Sequence, residues 1–375
     1  MRLYVFGSSL TSAYWNGAAT YYRGIYKYLH ALGYEITFAE PDIYERQQHR
    51  DLAEDPPYAH CPVYQNRREL DACLRAAGEA DLIIKHSGIG ADDDYLETAV
   101  LEAAAAAPAG ARPRVAYWDV DAPATLAALE KGTAEGARAL RQLLPEYDFI
   151  FTYGGGPPVV RRYCALGARG CFPIYNGLDP ETHYPVHARE EWAADVSFLG
   201  HRLPDREARV RYFFFGAAEQ NARQQFLLAG EGWKVEPGVV PRNVSVCGFV
   251  PSSEHNALNA SARFVLNLNR ESMAETGFSP PTRIFEAAGA GAAIISDTWP
   301  GISLFFQPGS EILLASGPED ISEHLRQISP GEAARIGRQA RERALAEHTY
   351  RRRALRVHKV LHGAGTRPQP AAAEA

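Results

Sequence analysis

This sequence predicts an α/β chain of two doubly wound domains, each a parallel sheet flanked by helices, facing a cleft. Three observations carry that prediction. Short apolar runs of strand length alternate with amphipathic or Ala-rich helical stretches almost throughout. The alternation lapses around 180–192, at Asp179-Pro-Glu-Thr-His-Tyr-Pro185, and then restarts, and 375 residues suffice for two separate cores. The strands run into polar or Gly-rich loops, the places where sheets of this kind bind ligands.

In the first half, Leu3–Phe6 reads as a strand and 16–32 as a helix, closed by Gly33 at a position that favours a left-handed residue. Strands follow at Glu35–Phe38, Leu82–Lys85, Val115–Trp118 and Phe149–Thr152. Residues 41–68 are polar, rich in Pro and Gln, and give no clear element. After the lapse, strands are expected at Val196–Leu199, Val244–Cys247, Phe264–Asn267, Ala293–Ser296 and Glu311–Leu314. Residues 331–362 read as helix with Pro330 near its start, and a Pro- and Ala-rich tail after it reads as disordered. The domain bounds drawn from this are 1–185, 190–340, a returning helix over 341–362, and a tail over 363–375.

Net charge is −6 and the sequence pI is near 6.1, so no global electrostatic footprint for nucleic acid is visible, and the basic cluster Arg351–Arg353 reads as a solvated helix face. No run of about 18 apolar residues exists, so no transmembrane segment is expected. The Met1–Gly7 start reads as a strand entering a turn and not as a signal peptide. The five cysteines lack CxxC spacing and no His cluster completes a zinc set, which points to reduced thiols, no metal and a cytoplasmic setting.

The most informative stretch is 277–297. Its Pro280-Pro281 pair presets a helix start, and Ser279, Thr282, Arg283 and Glu286 cluster near that helix's N-terminal end. Orphan backbone N–H groups, a guanidinium and a carboxylate at one helix mouth suit a phosphate and a ribose diol together. Gly200-His201-Arg202-Leu-Pro-Asp-Arg206 follows a strand and can neutralise a diphosphate in place of a cation. Gly248 and Phe249 end another strand and can present backbone to a base, while Arg270 ends a third. In the first half, the loop from Gly7 and Ser8 to Gly17 is a candidate for a diphosphate or an acceptor. His86 after its strand is a candidate general base or charge-holding residue, and so is Asp119, since Asp121 has a ready role as a helix cap.

The C-terminal half resembles glycosyl transferases group 1 of the GT-B superfamily, whose two domains are Rossmann-like, and most closely the CgeB-like (spore-maturation protein) branch. The residues that carry the resemblance are Asn176-Gly-Leu-Asp179 with Pro185, Gly200–Arg206, Gly248-Phe-Val250, Leu266–Arg270, Ser279–Glu286, Trp299-Pro-Gly301 and His348-Thr-Tyr350. Tyr117–Asp121 and Phe151–Gly155 extend it more loosely into the first half. The resemblance implies a nucleotide-diphosphate sugar donor, of UDP or GDP type, acting as co-substrate with no cofactor and no metal. It implies Glu286 on the ribose hydroxyls and Arg202 with Arg206 on the diphosphate, with His201 an alternative to Arg202. It places Asp119 as a catalytic residue, and implies a C-terminal helix that crosses back to the first domain. The acceptor is open between glycan, lipid, protein and small molecule. Eight residues before Glu286, where retaining relatives often carry a Glu, stands Phe278. The expected activity is glycosyl transfer; the alternatives are a sugar-nucleotide epimerase of the same fold and a non-catalytic binding protein.

Overall fold

The computed structural model describes residues 1–90, 92–108, 110–132, 135–233 and 240–363. It divides into two compact units, Met1–Asn176 with Tyr350 onward, and Gly177–Thr349. The tail expected to be disordered lies, past Gly363, outside the described residues.

In the first unit the parallel strands are β1 (Arg2–Phe6), β2 (Glu35–Pro41), β3 (Val63–Tyr64), β4 (Leu82–His86), β5 (Arg114–Asp119), β6 (Phe149–Thr152) and β7 (Cys171–Pro173). Their order across the sheet is β3-β2-β1-β4-β5-β6-β7, with Leu3 opposite Leu82 and Ile84 opposite Ala116. Successive side chains of a strand point to opposite faces, so each strand feeds two cores. Tyr4, Phe6, Ile83, Val115, Tyr117 and Ile150 pack on one side. Leu3, Val5, Ile84, Ala116, Trp118 and Phe151 pack on the other, against the helices Ala19–Ala31 and Tyr350–Leu361. Gly24 makes that second contact possible, since a Cβ there would lie 2.3 Å from the Tyr350 ring. Within the polar stretch 41–68, Pro41 ends β2, Val63–Tyr64 form β3 at the sheet's edge and Arg67 begins the helix Arg67–Ala77.

The second unit holds β8 (Ala194–Leu199), β9 (Phe226–Ala229), β10 (Val244–Cys247), β11 (Ala262–Asn267), β12 (Ile294–Asp297) and β13 (Leu313–Ala315), all parallel in the order β10-β9-β8-β11-β12-β13. In both sheets the order reverses beside the first strand, between β1 and β4 and between β8 and β11. Ligands bind open α/β sheets at such switch points, beyond the strands' carboxyl ends. β9 is an element the sequence reading lacks: Phe-Leu-Leu-Ala is too short to show a period. All five cysteines are free thiols, and no helix among the described residues is long and apolar enough to cross a membrane.

The helix expected over 331–362 is two helices. Pro330–Glu347, capped by the Ser329 side chain on the Glu332 N–H, belongs to the second unit, and Tyr350–Leu361 belongs to the first. The break is set by pairing: the His348 carbonyl accepts from the Leu178 N–H at 2.7 Å, and Leu178 bridges to Thr349. The chain passes between units at 176–177 and 349–350, where the sequence pattern placed the bounds at 185–190 and 340–341.

Candidate functional site

The second unit concentrates basic groups beyond β8. The strand ends at Leu199, and Gly200 turns the chain toward the helix Pro204–Arg209. A Cβ on Gly200 would meet Arg283 Nη2 at 2.7 Å and Arg206 Nη1 at 3.0 Å, so two guanidiniums converge on one glycine. Arg283, from the first turn of the helix Thr282–Gly289, donates through Nε to the Leu199 carbonyl and through Nη1 to Asn267 Oδ1 at 3.2 Å. Its guanidinium lies over the Phe198 ring. Among the described residues it has no carboxylate within 4.0 Å, and burial together with the neighbouring Arg206 charge pushes its pKa down to about 9. A buried cation beside a like charge is an unfavourable arrangement that an anion relieves. This arrangement suits a ligand carrying two negative charges.

His201 stands on the same turn. Its Nδ1 accepts from the Glu231 N–H at 3.0 Å, which leaves Nε2–H as the donor of the neutral ring. Burial lowers its pKa, and Arg206 and Arg283 push the same way. Arg206 Nη1 donates to the His201 carbonyl at 3.3 Å. The loop after β9 completes the turn: Trp233 Nε1 donates to the Gly200 carbonyl at 2.8 Å, and a Cβ on Gly230, whose φ is +122°, would lie 2.4 Å from that same oxygen.

Glu286 sits one turn beyond Arg283 on the same helix with its side chain 14% exposed. His183 Nε2 lies 4.0 Å from its Oε1. Ser279 and Thr282 lie at the entry to that helix. Ser279 is buried, its hydroxyl on the Gly277 carbonyl and its own carbonyl accepting from Asn269 Nδ2. The two prolines between them carry no N–H, so Thr282 offers the first helical N–H. Gly248 follows β10 with open space around its Cβ position, its carbonyl holding the Gly230 N–H, and Phe249 beside it is 61% exposed.

Two of the candidate arginines are ion-paired within the unit. Arg202 is paired with Glu207 at 2.6 Å and is 41% exposed, with Arg211 on the same carboxylate. Arg270 is paired with Asp205 at 2.6 Å and ties the end of β11 to the helix after β8.

In the first unit, Asp119 and His86 are both withdrawn from solvent. Asp119 is fully buried at the end of β5. Its Oδ1 accepts from Ser87 Oγ (2.9 Å), the Asp121 N–H (2.9 Å) and Thr125 Oγ1 (3.0 Å), and its Oδ2 from Tyr163 Oη (2.5 Å). Burial raises its pKa while these donors pull it back. It is a clamp between β5 and three neighbouring segments, with no surface exposed to solvent. His86 is equally enclosed: its Nε2 meets Tyr26 Oη at 2.6 Å, and the rings of Tyr22 and Trp118 lie 4.4 and 5.2 Å away. Burial drives its pKa well down, with Lys85 adding to the effect. Gly7 is required by packing, since a Cβ would lie 2.2 Å from the Phe38 ring, and Ser8 Oγ is buried on Asn16 Oδ1. Asp121 does stand at the N-cap of Ala122–Lys131, but makes no side-chain cap hydrogen bond there.

A family model described as glycosyl transferase-like matches residues 206–359. No curated protein matches the sequence. Sucrose-phosphate synthase from Thermosynechococcus elongatus is similar in structure over 97% of this chain and 98% of that chain, with a TM-score of 0.68 at 15% identity. HepE of Anabaena, solved with UDP and glucose, gives the same TM-score at 12% identity over 97% of this chain and all of that one. The fold is GT-B. The lipopolysaccharide outer core galactosyltransferase WaaB also matches, with a TM-score of 0.58 at 14% identity over 97% and 99% of the two chains.

Within this GT-B chain the sequence reading missed His183, Gly230, Glu231, Trp233 and His255. Ala229-Gly-Glu-Gly232 carried a signal, two glycines two residues apart after an apolar run. The histidines carried none, because 72 residues of sequence separate them.

Proposed function

We propose that this protein is a glycosyltransferase of the CgeB-like branch that moves a sugar from a nucleotide-diphosphate donor to an acceptor hydroxyl. The observation that carries the reading is the convergence of Arg206 and Arg283 on Gly200 at the switch point, with Glu286 one turn away. The guanidiniums and the His201 imidazole hold the diphosphate, supplying the charge that a divalent cation supplies elsewhere. The first turn of Thr282–Gly289 adds its N–H groups and dipole. Glu286 accepts from the ribose hydroxyls, and exposed Phe249 offers the base a flat face.

In the step itself, the bond from the sugar's anomeric carbon to the diphosphate oxygen breaks as the bond to the acceptor oxygen forms. The nucleoside diphosphate leaves, and the acceptor's proton passes to it. Charge develops on the departing oxygen, where Arg206 and Arg283 lower the barrier most. The family-model match and the UDP held by HepE support this reading.

The test is thermal stabilisation by UDP, GDP and their sugars in wild type, Glu286→Gln and Arg206→Ala, followed by donor turnover. Specific binding raises stability by mass action. Stabilisation by one nucleotide that weakens in both variants is expected. A protein that no nucleotide stabilises, or variants that turn over donor at the wild-type rate, refutes the assignment.

A further inference from the structure

Fold and chain order bring His183, His255 and Glu286 into one cluster, their ligand atoms all within 4.8 Å of one another. Among the described residues this is the one group of three or more His, Cys, Asp or Glu side chains so placed. The three come from separate elements of the second unit: the segment entering it, the helix His255–Ser261 and the helix Thr282–Gly289. The packing that joins them is specific. Gly289 lies three residues past Glu286, and a Cβ there would sit 2.8 Å from the His183 carbonyl oxygen, so only glycine lets that segment lie against the helix. Asn256 Nδ2 donates to the Thr182 carbonyl at 2.9 Å and ties the same segment to the second helix.

Each imidazole already has one nitrogen held from outside the cluster. His183 Nδ1 meets Thr182 Oγ1 at 2.9 Å, and its Nε2 faces Glu286 Oε1. His255 Nε2 lies 3.2 Å from the Val250 carbonyl, which fixes the proton on Nε2 and leaves the lone pair on Nδ1. Metal-binding histidines are oriented in this way, with the second ring nitrogen tied to a carbonyl or hydroxyl. Two imidazoles and one carboxylate suit a borderline ion such as zinc, at bond lengths of about 2.0–2.2 Å and with a fourth position open. Bringing donors to the roughly 3.4 Å separation of such a shell requires them to close by about an ångström.

We propose that His183, His255 and Glu286 bind a zinc-type divalent transition-metal ion, and that the ion, by taking the Glu286 carboxylate, competes with the nucleotide's ribose. The metal is thus an inhibitor of the site and no part of turnover. The competition rests on the ribose role of Glu286 proposed above; the metal site does not. No bond is made or broken beyond ligation.

The experiment is a titration of untagged, chelator-treated full-length protein with Co²⁺, read by visible absorption and calorimetry, then with Zn²⁺ in competition. His183→Ala and His255→Ala are each expected to weaken binding by at least about tenfold, with circular dichroism confirming the fold. His362→Ala is the control, because His358 and His362 form a ring pair one helical turn apart that can hold an ion by itself. Binding that is absent in wild type, or that survives His183→Ala and His255→Ala but falls with His362→Ala, overturns the proposal. Affinity for UDP is then measured with and without saturating Co²⁺. A fall of at least about tenfold in wild type that is absent in His183→Ala and His255→Ala supports competition at one carboxylate, since Co²⁺ bound to UDP in solution would lower affinity in all three proteins alike. Metal binding that leaves UDP affinity unchanged overturns the competition, whereas the ribose role of Glu286 stands or falls with UDP binding by Glu286→Gln. UDP binding that depends on Glu286 in a protein that takes up no metal overturns the metal site alone.

Discussion

Tyr163→Phe separates a structural Asp119 from a catalytic one. The substitution removes one hydroxyl and leaves the ring in its place, so no cavity of consequence forms. What is lost is a 2.5 Å hydrogen bond to Oδ2 of a fully buried carboxylate, whose other three donors all fall on Oδ1. A hydrogen bond to a charged group contributes about 2 kcal/mol, and burial at this site leaves no water to replace it. At about 2–4 °C per kcal/mol for a unit of this size, the first unit should melt about 4–8 °C lower near pH 7. The pH dependence has a definite sign. Burial already raises the Asp119 pKa above its unfolded value, so this group favours the folded state most at acid pH, and that advantage is lost as pH rises toward the folded pKa. Removing Tyr163 takes away a donor to the ionised form and raises the folded pKa further. The variant's deficit must therefore grow from acid to neutral pH. Differential scanning calorimetry at pH 5 and pH 7, alongside donor turnover at a temperature where both proteins are folded, measures both quantities. Unchanged melting together with a turnover loss of tenfold or more refutes the structural assignment and returns Asp119 to the chemistry.

Arg206→Ala should weaken nucleotide binding by about ten- to a hundredfold, the worth of a charge-assisted contact, whereas Arg202→Ala should change it by less than about twofold, because Arg202 is spent on Glu207 at the surface; calorimetric titration with the stabilising nucleotide compares them. Gly230→Ala should lower both melting temperature and nucleotide affinity, since the new Cβ strikes the Gly200 carbonyl in a left-handed backbone; wild-type affinity in that variant would show that the β9 loop does not shape the turn. His86 is held neutral by burial, so it adds stability above its unfolded pKa of about 6.5 that is lost as pH falls below it. His86→Phe should flatten that acid limb in a melting-temperature profile and leave turnover intact.

The parts of this protein legible in its sequence are those governed by local pattern. Strands with a clear apolar run, such as Leu82–His86 and Ala262–Asn267, were visible, as was the Pro-Pro helix start before Glu286. What the sequence could not show is which way a polar side chain turns. The position of Asp119 at a strand exit does not reveal its partners, and Arg202 and Arg206 look equivalent in sequence. Their roles are decided by Tyr163 and Glu207, whose proximity depends on how the helices dock. The helix break at His348 was hidden for the same reason, because its partner, Leu178, lies far away in sequence.

Phe278 shows how a local anomaly and a remote contact explain each other. As sequence it stands eight residues before Glu286, directly ahead of the Ser279-Pro280-Pro281 helix entry. As structure it is one of four non-glycine residues with positive φ among those described, at +48°. Such a backbone costs a bulky residue about 1–3 kcal/mol unless neighbours enforce it. Here they do. The Phe278 N–H donates to the Pro300 carbonyl at 2.7 Å, and a Cβ on Gly301 would lie 2.3 Å from the Phe278 ring, so the ring fills the space glycine leaves. Gly277 fits against Pro300 in the same way, at 2.7 Å. The segments 277–278 and 299–301 are therefore interlocked, and their pairing carries the chain from the helix Glu271–Thr276 into the Ser279-Pro280-Pro281 entry of the next. A Glu at 278 would keep the strained backbone and lose the ring that compensates for it. Trp299-Pro300-Gly301 and Phe278 thus form one structural unit, which ties the identity of residue 278 to the glycine at 301.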